Sequence, residues 1–298
     1  EPYRRQRKMF IRDRYKIDKM RAQMDYNMCL AHALAVNACH EMIPDSKIGT
    51  AVSSSVTYPL TCKPEDVYAA RMNDNFKVYY MLDMHQYGEY PGYYMNYLKE
   101  RNIMPVMEEG DKSILKKAKM DFIAVNYYRT NCAEALKAND EHPFGSREGT
   151  VDFNMYGLFK MSMNPNLKAT EYGAAIDPSG LRVALNEYWQ RYHLPLIITE
   201  NGLGTPDILT EDGKVHDEYR IDYLRSHIEA CALAIEDGVE MIGYCPWSFM
   251  DLLSSAQGFR KRYGLVYTNR TDDELLDLKR IKTVSYTHLR AHETTLHL

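Results

Sequence analysis

Four short apolar runs, separated by longer segments of helical period, constrain the fold of this chain more than any other feature. The runs cover residues 47–52, 122–128, 194–202 and 241–248. An alternation of this kind is typical of βα units repeated around a parallel sheet. Each run turns polar or aromatic at its carboxyl end, which is the end that opens into the active site of a parallel barrel. The pattern therefore predicts an α/β barrel with functional residues at the strand ends.

The segments between the runs predict helices. Residues 178–193 begin with Pro-Ser, which suits a helix start, and they place apolar side chains on one face. Residues 28–42 also place apolar side chains on one face. Residues 218–235 lead into Gly238, which suits a helix end. A barrel of eight βα units needs roughly 250 residues, and only four strands are evident in 298. We therefore expect an incomplete barrel, and no linker divides it into domains.

Composition excludes several classes of partner. The formal net charge of -4 provides no basic field for nucleic acid, so any phosphate must be bound by a local cluster. The six cysteines are scattered without a short regular spacing, which favours a reducing, cytoplasmic location over a disulfide framework. No apolar run is long enough to span a membrane, and no signal peptide is evident. The sequence predicts a cytoplasmic protein with no nucleic-acid or membrane partner.

Glu200 is the candidate for chemistry at a strand end. It follows an apolar run, and Asn201 and Gly202 force an abrupt turn directly after it. A carboxylate held at the mouth of a rigid strand can act as a nucleophile. A strand-ending glutamate can also serve only as an ion-pair partner or a capping group.

Several motifs in order resemble glycoside hydrolase family 1 over about residues 31–282. They are LAHALAVNACHEMIPDSKIG, DFIAVNYY, NPNLKATEYGAAIDPSGLR, the Thr-Glu-Asn-Gly stretch at 199–202, and GYCPWSFMDLLSS followed by KRYGLVYTN. The resemblance implies strands five to eight of a (β/α)8 TIM barrel. It implies that Glu200 is the nucleophile, that Tyr128 hydrogen-bonds it, that Asn126 stands beside it, and that Trp247 forms an apolar floor under the sugar.

The mechanism that the resemblance implies is double displacement with retention, which requires a second carboxylic acid about 5 Å from the nucleophile. In the family this acid lies in an Asn-Glu motif upstream of a helix that we expect to begin near Arg21. Glu1 is one candidate, although the residues after it lack the expected glycine-rich, apolar character; missing upstream sequence is the other. We expect no cofactor and no metal, because His85, His142 and His193 do not fall at strand ends.

The loop after Trp247 favours an anionic substrate. In the family, enzymes of unphosphorylated glucosides carry a glutamate where Ser254 stands, and two unit charges 4 Å apart repel by about 4 kcal/mol at an effective dielectric of 20. Lys261 and Tyr263 match the phosphate-binding residues of the 6-phospho branch. Phosphogalactosidases of the family carry a bulky Trp where Ser255 stands, so the resemblance implies a sugar of gluco configuration. A solvated basic run at residues 260–262 is the alternative.

We therefore predict a retaining β-glycosidase that hydrolyses 6-phospho-β-glucosides to glucose 6-phosphate and an aglycone in carbohydrate catabolism. The alternatives are a β-glucosidase of unphosphorylated sugars and an inactive, sugar-binding barrel fragment. Residues 1–282 form the carboxyl-terminal part of the barrel. Residues 283–298 lose apolar period and gain histidines, so we expect them to be a non-native tail.

Overall fold

A computed structural model describes residues 2–137, 153–155, 158–254 and 257–293 of the chain, and the side chains of 18–137, 158–254 and 257–289. The described helices are α1 (Pro2–Met42), α2 (Pro64–Asp74), α3 (Tyr80–Tyr87), α4 (Gly92–Glu100), α5 (Asp111–Lys117), α6 (Pro178–Tyr192), α7 (Glu218–Glu236) and α8 (Val284–Glu293). A π-helical turn, Asn75–Tyr79, precedes α3. Among these helices, none has the length and apolar character needed to cross a membrane.

Strands of the described residues group into three sheets. They are β1 (Gly49–Ser54), β2 (Thr57–Pro59), β3 (Phe122–Tyr127), β4 (Asn131–Ala135), β5 (Phe153–Met155), β6 (Phe159–Ser162), β7 (Leu196–Asn201), β8 (Met241–Pro246), β9 (Val266–Thr268) and β10 (Arg280–Lys282). The main sheet has the order β1-β3-β7-β8, the second has the order β2-β4-β6-β5, and β9 pairs with β10.

The main sheet confirms the four strands predicted from the apolar runs. β7 and β8 pair in parallel, with Leu196 opposite Met241 and Ile198 opposite Tyr244. Leu196 and Ile198, which share one face of β7, are fully buried, and Ile197 on the opposite face is half-buried. The carboxyl ends of neighbouring strands therefore meet at one edge, where residues 126–128, 200 and 247 lie.

The second sheet and the β9–β10 hairpin were not predicted. β2 contributes three residues and pairs in parallel with β4, Thr57 lying opposite Asn131. Strands this short carry no readable period, and their conformation depends on the neighbour that accepts their hydrogen bonds.

Two compact units make up the chain: residues 1–50 with 75–123, and residues 51–74 with 124–298. The first unit is mainly helical, and Tyr26 of α1 donates a 2.8 Å hydrogen bond to Asp111 of α5 within it. The chain crosses from one unit to the other inside β1, inside β3, and between α2 and the π-helical turn. These crossings carry no linker sequence that could mark the units.

Helix α1 begins at Pro2, so the prediction of a helix start near Arg21 was wrong. Residues 3–20 are rich in Arg, Lys and Asp and lack an apolar face. Arg and Lys nevertheless have good intrinsic helix propensity, so the helix continues through a segment whose period does not reveal it. Glu1, the candidate acid, lies outside the described residues.

Helices α6 and α7 lie in the second unit and pack against each other. Asp177 caps α6 by accepting a 2.9 Å hydrogen bond from the Gly180 amide, and Pro178 occupies the first turn, as the sequence predicts. Tyr127 of β3 donates a 2.7 Å hydrogen bond to the Asp177 carbonyl. The cap is thereby tied to the strand that precedes Tyr128.

The segment expected to be a non-native tail begins with buried residues. Thr283 is 1% exposed and Ser285 is 0% exposed. The Ser285 amide and hydroxyl both donate to the Asp217 carboxylate, at 2.8 and 2.6 Å. Residues 294–298 lie outside the described part, and the non-native origin of the segment stays a prediction.

Candidate active site

Glu200 lies near the carboxyl end of β7, and Tyr128 directly follows β3, the neighbouring strand. The Tyr128 hydroxyl donates a 2.8 Å hydrogen bond to Oε2 of Glu200. Burial, followed by the bond to Glu200, raises the pKa of Tyr128 well above its usual value of 10. The phenol therefore stays protonated at neutral pH and keeps the carboxylate oriented.

Asn201, which is 0% exposed, fixes the backbone beside Glu200. Its amide nitrogen donates to the Tyr127 carbonyl at 2.7 Å and to the Tyr223 hydroxyl at 3.1 Å, and its amide oxygen accepts from Tyr244 at 2.6 Å. These bonds tie the end of β7 to both neighbouring strands and to α7. Such support holds a reactive carboxylate in one direction.

Gly202, two residues after Glu200, packs directly against the backbone of Trp247. A Cβ atom on Gly202 would lie 1.7 Å from the Trp247 carbonyl oxygen, so no other residue fits without moving the backbone. The Trp247 amide donates a 2.8 Å hydrogen bond to the Asn201 carbonyl. Trp247 is half-buried at the end of β8, on the edge that carries Glu200.

Asn126 is oriented by the residue before Glu200. The Thr199 hydroxyl donates a 2.6 Å hydrogen bond to the Asn126 amide oxygen. This bond leaves the amide nitrogen of Asn126 as the group that can donate to a sugar hydroxyl.

Lys261 is a half-buried cation between two phenol rings. Its Nζ lies 4.9 Å from the centroid of the Tyr172 ring and 5.5 Å from that of Tyr263. Burial, and then the charge of nearby Arg129, lower the pKa of Lys261. Within the part of the chain that the structure describes, no carboxylate forms an ion pair with Lys261. An anion is the natural complement of a cation held in this way.

Tyr263 connects Lys261 with the nucleophile. Its ring meets the Tyr128 ring edge-on, at 6.1 Å between centroids and 74° between planes. Burial raises the pKa of Tyr263, which keeps its hydroxyl protonated and able to donate. Glu200, Tyr128, Tyr263 and Lys261 thus form one continuous group.

Ser254 forms its hydrogen bonds within its own loop. Its hydroxyl lies 3.4 Å from Oε1 of Gln257, and its backbone exchanges hydrogen bonds of 3.1 and 3.0 Å with Gly258. Among the described residues, Ser254 forms no hydrogen bond with Lys261 or Tyr263. Ser255 lies outside the described residues.

Arg262 supports the two candidate phosphate ligands that flank it. Its guanidinium donates to Oδ2 of buried Asp251 at 2.6 Å and to the Thr268 carbonyl at 2.9 Å. Lys261 and Tyr263, on either side of Arg262, both lie against Gly204 instead.

Sequence reasoning did not single out Tyr172, Arg129 or Asp251, and it considered Arg262 only as part of a solvated basic run, whereas Arg262 is buried. Tyr172 lies within the family-like segment 164–182 and Arg129 directly follows Tyr128, but neither position has a local signal that indicates its neighbours in space. Elsewhere in the described residues, no three His, Cys, Asp or Glu side chains group as a metal site would require.

Together, the parallel sheet and the strand-end carboxylate define an α/β protein whose candidate active site lies at the carboxyl edge of its strands. Glycosyl hydrolase family 1 matches residues 13–294, and the chain belongs to that family.

Enzymes of this family share extensive similarity with the chain. It is 43% identical over 262 residues to aryl-phospho-beta-D-glucosidase BglC of Bacillus subtilis, covering 86% of this chain and 55% of that enzyme. It is 39% identical over 265 residues to a 6-phospho-beta-glucosidase of Dickeya chrysanthemi, covering 89% of this chain and 54% of that enzyme. The family 1 β-glucosidase of Thermotoga maritima superimposes with a TM-score of 0.75 at 30% identity, covering 90% of this chain and 55% of that structure. The chain thus spans about half the length of the relatives it matches.

Proposed function

We propose that this chain supplies the nucleophile and the phosphate-binding residues of a retaining β-glycosidase acting on 6-phospho-β-glucosides. The observation that carries the proposal is the continuous group from Glu200 to Lys261. In it, a carboxylate oriented by Tyr128 is joined through Tyr263 to a half-buried ammonium that pairs with no carboxylate among the described residues. One end suits attack on a sugar carbon, and the other suits an anionic substituent of the same sugar.

Glu200 would attack the anomeric carbon and form a glycosyl ester, while the bond to the leaving oxygen breaks and that oxygen takes a proton from a second carboxylic acid. The resulting carboxylate would then take a proton from water as the water oxygen attacks the anomeric carbon, and the ester bond would break to release Glu200 as a carboxylate. Trp247 would pack under the sugar ring, and Asn126 would donate to a hydroxyl. Glu1 and sequence upstream of this chain both stay candidates for the acid.

Recognition of the 6-phosphate would combine the Lys261 charge with the Tyr263 and Ser254 hydroxyls. Charge-assisted hydrogen bonds of this kind are roughly twice as strong as neutral ones. The names of two relatives support a phosphorylated glucoside, because they are an aryl-phospho-β-glucosidase and a 6-phospho-β-glucosidase. In this scheme Ser254 must exchange its contact with Gln257 for one with the phosphate.

We also propose that the main sheet comprises strands five to eight of a (β/α)8 barrel, and that residues 1–282 are the carboxyl-terminal part of that barrel. β8 lies at the edge of the main sheet, and its apolar residue Ile242 is 54% exposed. We expect an exposed apolar residue on this edge if another barrel strand pairs with β8 in the complete protein. The six cysteines are free, which supports the proposed cytoplasmic location.

The test is a chimera in which the part of BglC outside the matched region completes this chain. We expect it to hydrolyse p-nitrophenyl-β-glucoside 6-phosphate with a higher kcat/KM than the unphosphorylated glucoside. Proton NMR during the reaction should show the β-anomer of glucose 6-phosphate first. Early appearance of the α-anomer would refute retention, and equal kcat/KM values for both substrates would refute phosphate recognition.

A further inference from the structure

Tyr172 lies at the tip of a tight turn whose base is tied together. The Thr170 amide donates to the Ala174 carbonyl at 2.8 Å, and the Gly173 amide donates back to the Thr170 carbonyl at 2.9 Å. Gly173 has a φ of 72°, which glycine adopts at little cost. The turn therefore presents the ring of Tyr172 from a defined backbone rather than from a loose loop.

The phenol of Tyr172 is also bonded to the segment that it faces. Its hydroxyl donates a 2.9 Å hydrogen bond to the carbonyl of Arg260, the residue before Lys261. With the hydroxyl anchored there, the ring face lies 4.9 Å from Nζ of Lys261. An aromatic face attracts a cation at this distance, and the attraction is stronger where water is excluded.

Gly204, in the loop after Glu200, lies against the stem of Lys261. A Cβ atom there would lie 2.6 Å from Cε of Lys261 and 2.6 Å from Cζ of Tyr263. The lysine stem and the Tyr263 ring therefore both pack directly on the Gly204 backbone. The Lys261 side chain is thus held at its ammonium by the Tyr172 and Tyr263 rings and at its stem by the Gly204 backbone.

We propose that Tyr172 is a positioning residue for Lys261: the Tyr172 and Tyr263 rings hold the ammonium between them and thereby set the preference for a 6-phosphorylated sugar. This inference rests on the proposed function and deepens it. Without the Tyr172 ring, the flexible lysine stem would sample other rotamers and would have to be ordered by the substrate, which costs affinity. The loss would act on the phosphorylated ligand and leave the uncharged sugar unaffected.

The test compares Tyr172→Leu, which removes the ring, with Tyr172→Phe, which keeps the ring and removes only the bond to Arg260. The control is Tyr286→Leu, because Tyr286 forms a similar pair with Lys282 at 5.0 Å. Calorimetry on the 298-residue chain measures the affinities for glucose 6-phosphate and glucose. NMR of 13C-labelled lysine, with the Lys261 signal assigned through Lys261→Arg, measures the ring-current shift of its Hε protons.

For Tyr172→Leu we expect about a tenfold weaker affinity for glucose 6-phosphate, an unchanged affinity for glucose, and movement of the Lys261 Hε signal towards that of free lysine. Tyr172→Phe should retain most of the shift and lose about two- to threefold in affinity. Tyr286→Leu should change neither quantity. An unchanged Hε signal in Tyr172→Leu, or equal losses for both sugars, would overturn the inference.

Failure of the proposed function is distinguishable in the same experiment. If the unsubstituted chain bound glucose 6-phosphate no better than glucose, phosphate recognition itself would be refuted. The Hε shift of Lys261 would still decide whether Tyr172 positions the ammonium, because that signal does not depend on the ligand.

Discussion

Thr205 and Arg262 pair through two backbone hydrogen bonds, one of 2.9 Å from the Thr205 amide and one of 2.8 Å from the Arg262 amide. Thr205 lies in the loop that follows Glu200, and Arg262 lies between Lys261 and Tyr263. The pairing therefore joins the segment of the candidate nucleophile to that of the candidate phosphate ligands. A displacement of either segment would therefore be transmitted to the other through these two hydrogen bonds. The position of the nucleophile and that of the phosphate ligands depend on the same backbone pairing.

Glu200→Gln in the completed enzyme should lower kcat by at least about a thousandfold while substrate binding persists. The amide preserves the shape of the side chain but cannot form the glycosyl ester. Steady-state kinetics and calorimetry measure the two quantities. The matched control is Glu229→Gln on the exposed face of α7. Unchanged turnover in Glu200→Gln would remove Glu200 from the mechanism.

Tyr128→Phe should lower kcat/KM by about 10- to 100-fold, because a hydrogen bond to a charged group contributes about 1.5–3 kcal/mol. The ring remains, so its edge contact with Tyr263 is preserved and the loss isolates the hydroxyl. A kcat/KM within twofold of the unsubstituted enzyme would show that the bond to Glu200 is not used in catalysis.

Lys261→Ala should weaken transition-state binding of a 6-phospho-β-glucoside, measured from kcat/KM, by about 2–3 kcal/mol. The kcat/KM for the unphosphorylated glucoside should stay nearly unchanged. Ser254→Glu should narrow or reverse the preference, since it adds repulsion against phosphate. Both substrates are measured at one ionic strength, with exposed Lys214→Ala as the control. Equal losses on both substrates would indicate that these residues only support the fold.

Arg220→Met should destabilise the fold by about 3–5 kcal/mol, because it leaves two buried carboxylates without their counterion. Arg220 donates to Asp207 at 2.7 Å and also to Asp217, and all three side chains are at most 1% exposed. Arg225→Met is the matched control, since Arg225 pairs with Asp222 on the same helix but on its exposed face. Urea unfolding should show a change below about 0.5 kcal/mol for that control.

The buried side chain of His227 should make the stability of the fold sensitive to acid. Burial lowers its pKa to about 4, although the bond to the Tyr223 carbonyl opposes the change. Between pH 6.5 and about 4, the unfolded chain binds a proton at this residue that the folded chain does not. The free energy of unfolding should therefore fall as pH decreases across this window, by about 3 kcal/mol.

His227→Gln should flatten this pH dependence, whereas exposed His216→Gln should leave it in place. Urea unfolding measured between pH 7 and pH 4 tests the difference. His85, whose pKa burial lowers to about 3, contributes with the same sign, so the flattening should be partial. An unaltered slope in His227→Gln would contradict the assignment.

The sequence by itself determined the four strands of the main sheet and the placement of Glu200, Tyr128 and Trp247 at their carboxyl ends. Buried parallel strands require continuous apolar runs, and that requirement is visible in each run separately. The start of α6 was readable for the same reason, since Pro178 acts on the helical turn that it begins.

Only the tertiary structure decided that Tyr172 lies beside Lys261, that Thr205 pairs with Arg262, and that Ser254 bonds Gln257 rather than the other candidate phosphate ligands. It also decided the short strands of the second sheet. These features depend on contacts between segments far apart in the chain, and such contacts change no local period or composition. Local patterns record which side of a segment is buried, whereas the identity of the neighbour that buries it is set by how the elements pack.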